Sequence, residues 1–112
     1  MIVNKTRGVA VSLTEEKAYD DFSQAVGLMF SKKRNLVMRF NKPRYVSLHN
    51  VFVFHPLEVL LLDKNQKVIA IENNFKPFTF WNYKRKKAIY VVELAKEGSK
   101  NICKIGDQLE IK

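Results

Sequence analysis

Two carboxylates stand where a carboxylate is costly. Glu58 lies in Leu57-Glu58-Val59-Leu60-Leu61-Leu62 and Glu93 in Tyr90-Val91-Val92-Glu93-Leu94, both otherwise apolar runs. An unpaired charge buried in such a run is expensive. Each side chain must therefore reach solvent, pair with a base, or line a pocket where its pKa rises toward the range of acid–base work. Arg39, the polar member of its own strand, is a partner for either. With His49 and Trp81 these residues define one candidate pocket: Arg39, His49, Glu58, Trp81 and Glu93.

Other chemistries find less support. His49 and His55 are the only histidines. On a continuous strand, positions six apart share a face but lie about 20 Å apart, too far to hold one metal. No metal and no cofactor is expected. Cys103 is the single cysteine. Lys100 and Lys104 could lower a thiol pKa, but Ile102 beside it and its lone occurrence fit a buried, inert thiol. There is no Gly-x-Ser-x-Gly elbow, Gly-rich phosphate loop or His-Glu-x-x-His helix, so no residue is assigned a catalytic role.

A second signal is Phe75-Lys76-Pro77-Phe78-Thr79-Phe80-Trp81-Asn82-Tyr83-Lys84-Arg85-Lys86-Lys87. Rings interleaved with cations suit single-stranded nucleic acid, because rings stack on bases while cations follow phosphates. The same pattern also suits a strand with alternate rings in a core, followed by a cationic edge that blocks sheet-to-sheet pairing. The whole chain carries 20 Lys and Arg against 11 Asp and Glu, a net +9 that attracts polyanions. The candidate polyanion-binding residues are Lys32, Lys33, Arg34, Lys42, Arg44, Lys84, Arg85, Lys86 and Lys87.

The elements that must position these residues are mostly strands. At 112 residues, with 46% hydrophobic content and only 4 Gly and 3 Pro, the chain reads as one globular domain spanning residues 1–112. Val9-Ala10-Val11 is β-like. Ser12-Leu13-Thr14-Glu15 matches a capping box that could open a helix, or forms a turn before a shorter helix that starts near Asp21 and stops at Gly27. Leu36 to Phe40 alternates as a half-buried strand. Asn41-Lys42-Pro43-Arg44 reads as a turn. Tyr45 to Phe54 and Leu57 to Leu62 read as central strands, with Pro56 at their junction. Asp63 to Lys67 turns the chain into Val68 to Ile71. Glu72 to Tyr83 reads as irregular, Ala88 to Leu94 as a buried strand, and Gln108 to Ile111 as the last strand. No apolar run approaches the roughly 20 residues that span a bilayer. The lone cysteine and the absence of a signal-like N-terminus suggest a cytoplasmic location.

Four segments in order then carry a resemblance: Gly27-Leu28-Met29-Phe30; Phe54-His55-Pro56-Leu57-Glu58-Val59-Leu60-Leu61-Leu62-Asp63; Tyr90-Val91-Val92-Glu93-Leu94; and Lys104-Ile105-Gly106-Asp107. Together they resemble the domain of unknown function 192 family, an uncharacterised protein family, in its archaeal branch. The resemblance implies an antiparallel β-sandwich or partly open barrel with one short helix near Asp21 to Val26, and no assigned activity. It also marks departures. Val26 stands where the family usually has Arg, Glu58 where it has Asp, and Asn50 where archaeal members tend to have Met. If that Arg and Asp form a family site, this chain holds an altered version.

Two functions follow as expectations. One is a non-enzymatic binding module whose basic face meets nucleic acid or an acidic protein. The other is a small-molecule-binding domain or enzyme built on a pocket near His49, Glu58, Glu93 and Trp81. They separate on whether Glu58 and Glu93 converge.

Overall fold

The computed structural model describes residues 1–19, 35–49, 57–76, 80–95 and 102–112. Eight strands run through them: β1 (Ile2–Asn4), β2 (Val9–Ser12), β3 (Glu16–Ala18), β4 (Leu36–His49), β5 (Leu57–Leu62), β6 (Val68–Phe75), β7 (Phe80–Leu94) and β8 (Leu109–Ile111). β1 lies between β2 and β8 in a small antiparallel sheet. The larger sheet has the order β3-β4-β7-β5-β6. The chain is mainly β, with two sheets and no helix among the described residues. The short helix expected near Asp21 to Val26 lies outside those residues.

Two expectations need correction. The larger sheet is not wholly antiparallel, because β3 runs parallel to β4, with Ala18 beside Met38. That the described strands close no barrel, with β3 and β6 ending the larger sheet, conflicts with neither a sandwich nor a partly open barrel. The second correction is to the capping-box helix from Ser12, which is excluded. Ser12 closes β2, and its hydroxyl donates to the Thr14 carbonyl at 2.9 Å, which makes a turn before β3.

β5 explains its own composition. It sits between β7 and β6, and both of its faces are covered. Val59 and Leu61 point into one core cluster with Leu36, Met38, Ala70 and Val91. Leu60 and Leu62 point into another with Val37, Val92 and Leu94, where Ile2 of β1 and Leu109 of β8 join them. The small sheet therefore covers one face of the large one. A strand buried on both sides reads as a continuous apolar run rather than an alternation. Each fully buried Leu or Val contributes roughly 1.5–3 kcal/mol relative to exposure.

β4 and β7 are the long elements, and two bulges divide them. Arg39 pairs with Tyr90 but Arg44 pairs with Ala88, so β4 holds three extra residues there. Arg44 pairs with Ala88 but Val46 pairs with Tyr83, so β7 then holds three extra. Bulges bend strands and tighten their twist. Beyond them, Val46, Leu48, Trp81 and Tyr83 return to the cluster already covered by Leu36, Met38 and Val91. The Tyr83 hydroxyl donates to the Ile69 carbonyl of β6 at 3.3 Å, although β6 is not a ladder neighbour of β7. The far half of the ladder thus folds back over the core. Asn41 to Arg44 is accordingly not a turn but part of β4, and Glu72 to Phe75 and Phe80 to Tyr83 are strand rather than irregular. The turn at Asp63 to Lys67 is found as expected, its Asp63 carboxylate accepting from the Asn65 and Lys67 amides at 2.8 and 3.0 Å.

A polar clamp joins the small sheet to the chain's last turn. Asn4, fully buried at the end of β1, donates to the Ile102 carbonyl at 2.7 Å and to the Asp107 carboxylate at 2.9 Å. Arg7 Nε and the Lys104 amide donate to the same Asp107 oxygen at 2.7 and 2.9 Å. Gly8 (φ +66°) and Gly106 (φ +95°) supply the left-handed backbone of the two turns that bring these groups together. Burial alone would raise the Asp107 carboxyl, but the bonds from Asn4, Lys104 and Arg7, with the Arg7 charge, bring it below its ordinary value. A lowered carboxyl stabilises the fold above its unfolded-state pKa, and that stability is lost as pH falls through the folded value. Asp107→Ala leaves three donors facing nothing and is expected to cost about 2–4 kcal/mol in urea unfolding at pH 7. A loss well under 1 kcal/mol would show that the clamp is not holding the sheet.

Candidate functional site

Register decides where the two carboxylates point. Glu93 of β7 pairs with Leu36 of β4 and Val59 of β5, so it faces the cluster those residues line. Glu58 of β5 pairs with Leu94 of β7, so it faces the opposite cluster, beneath the small sheet. Both are 1% exposed. They lie on opposite sides of one sheet, and a single pocket cannot hold both. Arg39 follows Val37 on the face of Glu58, its guanidinium 4.3 Å from the centre of the Tyr19 ring. It cannot pair with Glu93 through the sheet. Its register partner Tyr90 is four residues from Leu94, the partner of Glu58, or about 13 Å along the strand. Trp81 packs on the cluster that Glu93 faces, 5.9 Å from the Tyr83 ring. His49 stands opposite Phe80 in the ladder. A pocket that holds Glu58 and Glu93 together is therefore not formed.

Glu93 is nonetheless unusual. Neither of its carboxylate oxygens has a hydrogen-bond partner among the described residues. Burial pushes its pKa from the ordinary 4.5 up to about 7. Between those values the unfolded chain releases its proton while the folded chain keeps it. Stability therefore falls as pH rises from about 4.5 to 7, then levels off, a total loss of roughly 3 kcal/mol. Glu93→Gln is expected to flatten this part of the profile and to be more stable than the parent at pH 8, measured by urea midpoints across the range. An unchanged profile would sink the assignment.

Cys103 is buried, and its thiol is pushed up to about 11, chiefly by burial, with the Glu58 and Asp107 charges adding to it. The Asn4 amide lies 3.7 Å from its sulfur. That is an inert thiol, not a nucleophile. No group of three or more metal-ligating side chains occurs among the described residues.

The basic residues are brought together. Asn41 to Tyr45 on β4 and Lys84 to Lys87 on β7, the segments of the two bulges, are all exposed. Consecutive strand residues alternate between faces, so exposure of every one means that the ladder stands clear of both layers there. Lys42, Arg44, Lys84, Arg85, Lys86 and Lys87 thus share one projection, and among the described residues none of the six is in an ion pair. Two are instead laid on rings: Arg44 Cζ is 4.8 Å from the centre of Phe40, and Lys87 Nζ is 5.5 Å from that of Tyr45. Just past the bulges the aromatic alternation resolves, with Trp81 and Tyr83 inward, Asn82 outward, and Phe80 73% exposed. β7 is the middle strand of its sheet only where β5 pairs with it, from Tyr90 to Leu94; at Lys84 to Lys87 only β4 runs beside it among the described strands, so the cations also lie on an open edge. Sequence reasoning named these cations but missed Phe40 and Tyr45, whose role depends on the cross-strand register. Lys32, Lys33 and Arg34 lie outside the described residues.

Fold and surface together define a two-layer, mainly β protein with a solvated basic projection on its longest ladder. The chain belongs to the domain of unknown function 192 family, described as an uncharacterised ACR, whose model matches residues 2–111. Two solved structures are similar. One is a protein of unknown function from Novosphingobium aromaticivorans, at 24% identity and a TM-score of 0.81, covering 98% of this chain and 82% of that one. The other is a proposed transcription regulator from Sinorhizobium meliloti, at 24% identity and a TM-score of 0.81, covering 97% of this chain and 88% of that one. At that identity the likeness concerns the fold. The comparison with curated proteins gave no significant match. No helix among the described residues is long and apolar enough to cross a membrane.

Proposed function

We propose that this protein is a non-enzymatic binding module whose β4–β7 projection takes single-stranded nucleic acid. The observation that carries the reading is six exposed cations in the bulge segments of two paired strands whose only acidic residue, Glu93, is buried. A surface of one sign attracts a polyanion over about a Debye length and releases counterions when it binds. Phe80, about 13 Å along β7 from Lys84, and the half-exposed Tyr45, which already carries Lys87, offer rings on which bases stack, each worth about 1–3 kcal/mol. The similar structure from Sinorhizobium meliloti, itself a proposed transcription regulator, is compatible with a nucleic-acid partner. An acidic protein would meet the same charge but would make less use of the exposed Phe80 ring. The pocket reading loses its basis once Glu58 and Glu93 face apart.

Fluorescence anisotropy with labelled single-stranded DNA and RNA tests the proposal. With four to six phosphates contacted, affinity is expected to drop roughly a hundredfold between 50 and 200 mM salt. Neutralising Lys84 to Lys87 together is expected to flatten that slope, and Phe80→Ala to weaken binding about fivefold or more at constant slope. Flat anisotropy at low salt with both nucleic acids would end the reading.

A further inference from the structure

The six cations are not equivalent, and the difference is geometric. Arg44 and Lys87 flank the junction of the two bulges from opposite faces: Arg44 is in register with Ala88, while Lys87 lies over Tyr45, the residue after Arg44. Each is held on a ring, while Lys84, Arg85 and Lys86 have no such support among the described residues. A cation resting on a ring face keeps its outer hydrogen-bond donors free. It also surrenders less rotamer freedom when it binds, which is where long flexible side chains lose most affinity. Beside this junction Phe40, Asn41, Lys42, Pro43 and Arg44 line a hollow of about 350 Å³. Phe40 and Pro43 are its apolar residues, and Asn41, Lys42 and Arg44 its polar ones.

From this arrangement we infer that the hollow at the β4 bulge is a discrete phosphate-binding site, with Arg44 as its principal contact and Asn41 and Lys42 completing it. The inference rests on the nucleic-acid reading for its biological ligand and sharpens it: one phosphate is anchored here, and the remaining cations act as a diffuse field. Arg suits the first role because its planar fork meets two phosphate oxygens at once. The anchored phosphate is either the terminal monoester of a strand or an internal diester, and the chemistry at Arg44 is common to both.

Two probes on the full chain separate the outcomes. Inorganic phosphate titrated into the protein is expected to shift the amide resonances of residues 40–45 and 86–88 along a saturable curve that Arg44→Ala abolishes. Arg44→Lys keeps the charge and loses the fork, so it is expected to weaken phosphate binding roughly tenfold. Lys84→Ala removes a charge from the same projection and is expected to change it less than about threefold. Equal losses for Arg44→Ala and Lys84→Ala, or unsaturable shifts spread over all six cations, overturn the site. Single strands with and without a terminal phosphate are the second probe. Tighter binding of the phosphorylated strand assigns the monoester, and equal binding with Arg44 dependence assigns the diester. If inorganic phosphate binds at Arg44 and no strand does, the nucleic-acid reading falls and the site stands. If strands bind with no preference for Arg44 over Lys84, the site falls and that reading stands.

Discussion

The structure depends on burying both faces of β5 and of the half of β7 beside it. A strand covered on two sides needs two neighbours and two layers, and the remaining elements supply them. β6 and β7 flank β5, the small sheet closes one face, and the folded-back ladder of β4 and β7 lies on the other. The same constraint restricts polar residues to the margins. Glu58 is near the first residue of β5 and Glu93 is one short of the last in β7. Burying Glu93 opposes folding by roughly 3 kcal/mol above pH 7, about what one or two of its buried aliphatic neighbours contribute. The core can carry that load without a partner for the carboxylate.

Where local signals and tertiary demands agreed, the sequence was readable. Leu57 to Leu62 could only be a buried strand, Asp63 to Lys67 could only be a turn, and the Val68 strand followed. Where the two conflicted, they compromised. Asn41, Lys42 and Pro43 carry turn chemistry, and Asn73-Asn74 carries breaker chemistry; all sit within β4 or β6, but at interruptions of the register, so the local signal surfaces as a bulge rather than as a turn. The parallel contact of β3 with β4 had no local signature, since the stretch between them sets it.

The site was harder to read than the fold for a specific reason. Glu58 and Glu93 each looked costly in its own strand, and each is. Whether they meet depends on relative register, and a shift of one residue sends a side chain to the other face. No single strand contains that information. The cations were legible as a charge excess, but their gathering on one projection required two bulges at the same level of one ladder, which composition does not reveal.

Those bulges bear on why the projection is charged at all. Along β7, Tyr83, Ala88 and Val91 all face the same cluster. The steps from Tyr83 to Ala88 and from Ala88 to Val91 are both odd, whereas an unbroken strand repeats a face only at even steps. Two odd steps sum to an even one, so the inner half of β7 and its outer half keep the same face inward. The fold therefore constrains the number of residues in Lys84 to Lys87, because a deletion there would turn Trp81 and Tyr83 out and Phe80 and Asn82 in. Its demand on their charge is of another kind: β5 pairs with β7 only from Tyr90 to Leu94, so Lys84 to Lys87 lie on an open edge, where cations discourage pairing with another chain. Serine, threonine or asparagine would fill a solvated bulge without the mutual repulsion of four adjacent cations, but would leave that edge unguarded. The fold thus accounts for the length of the segment and for the sign of its charge.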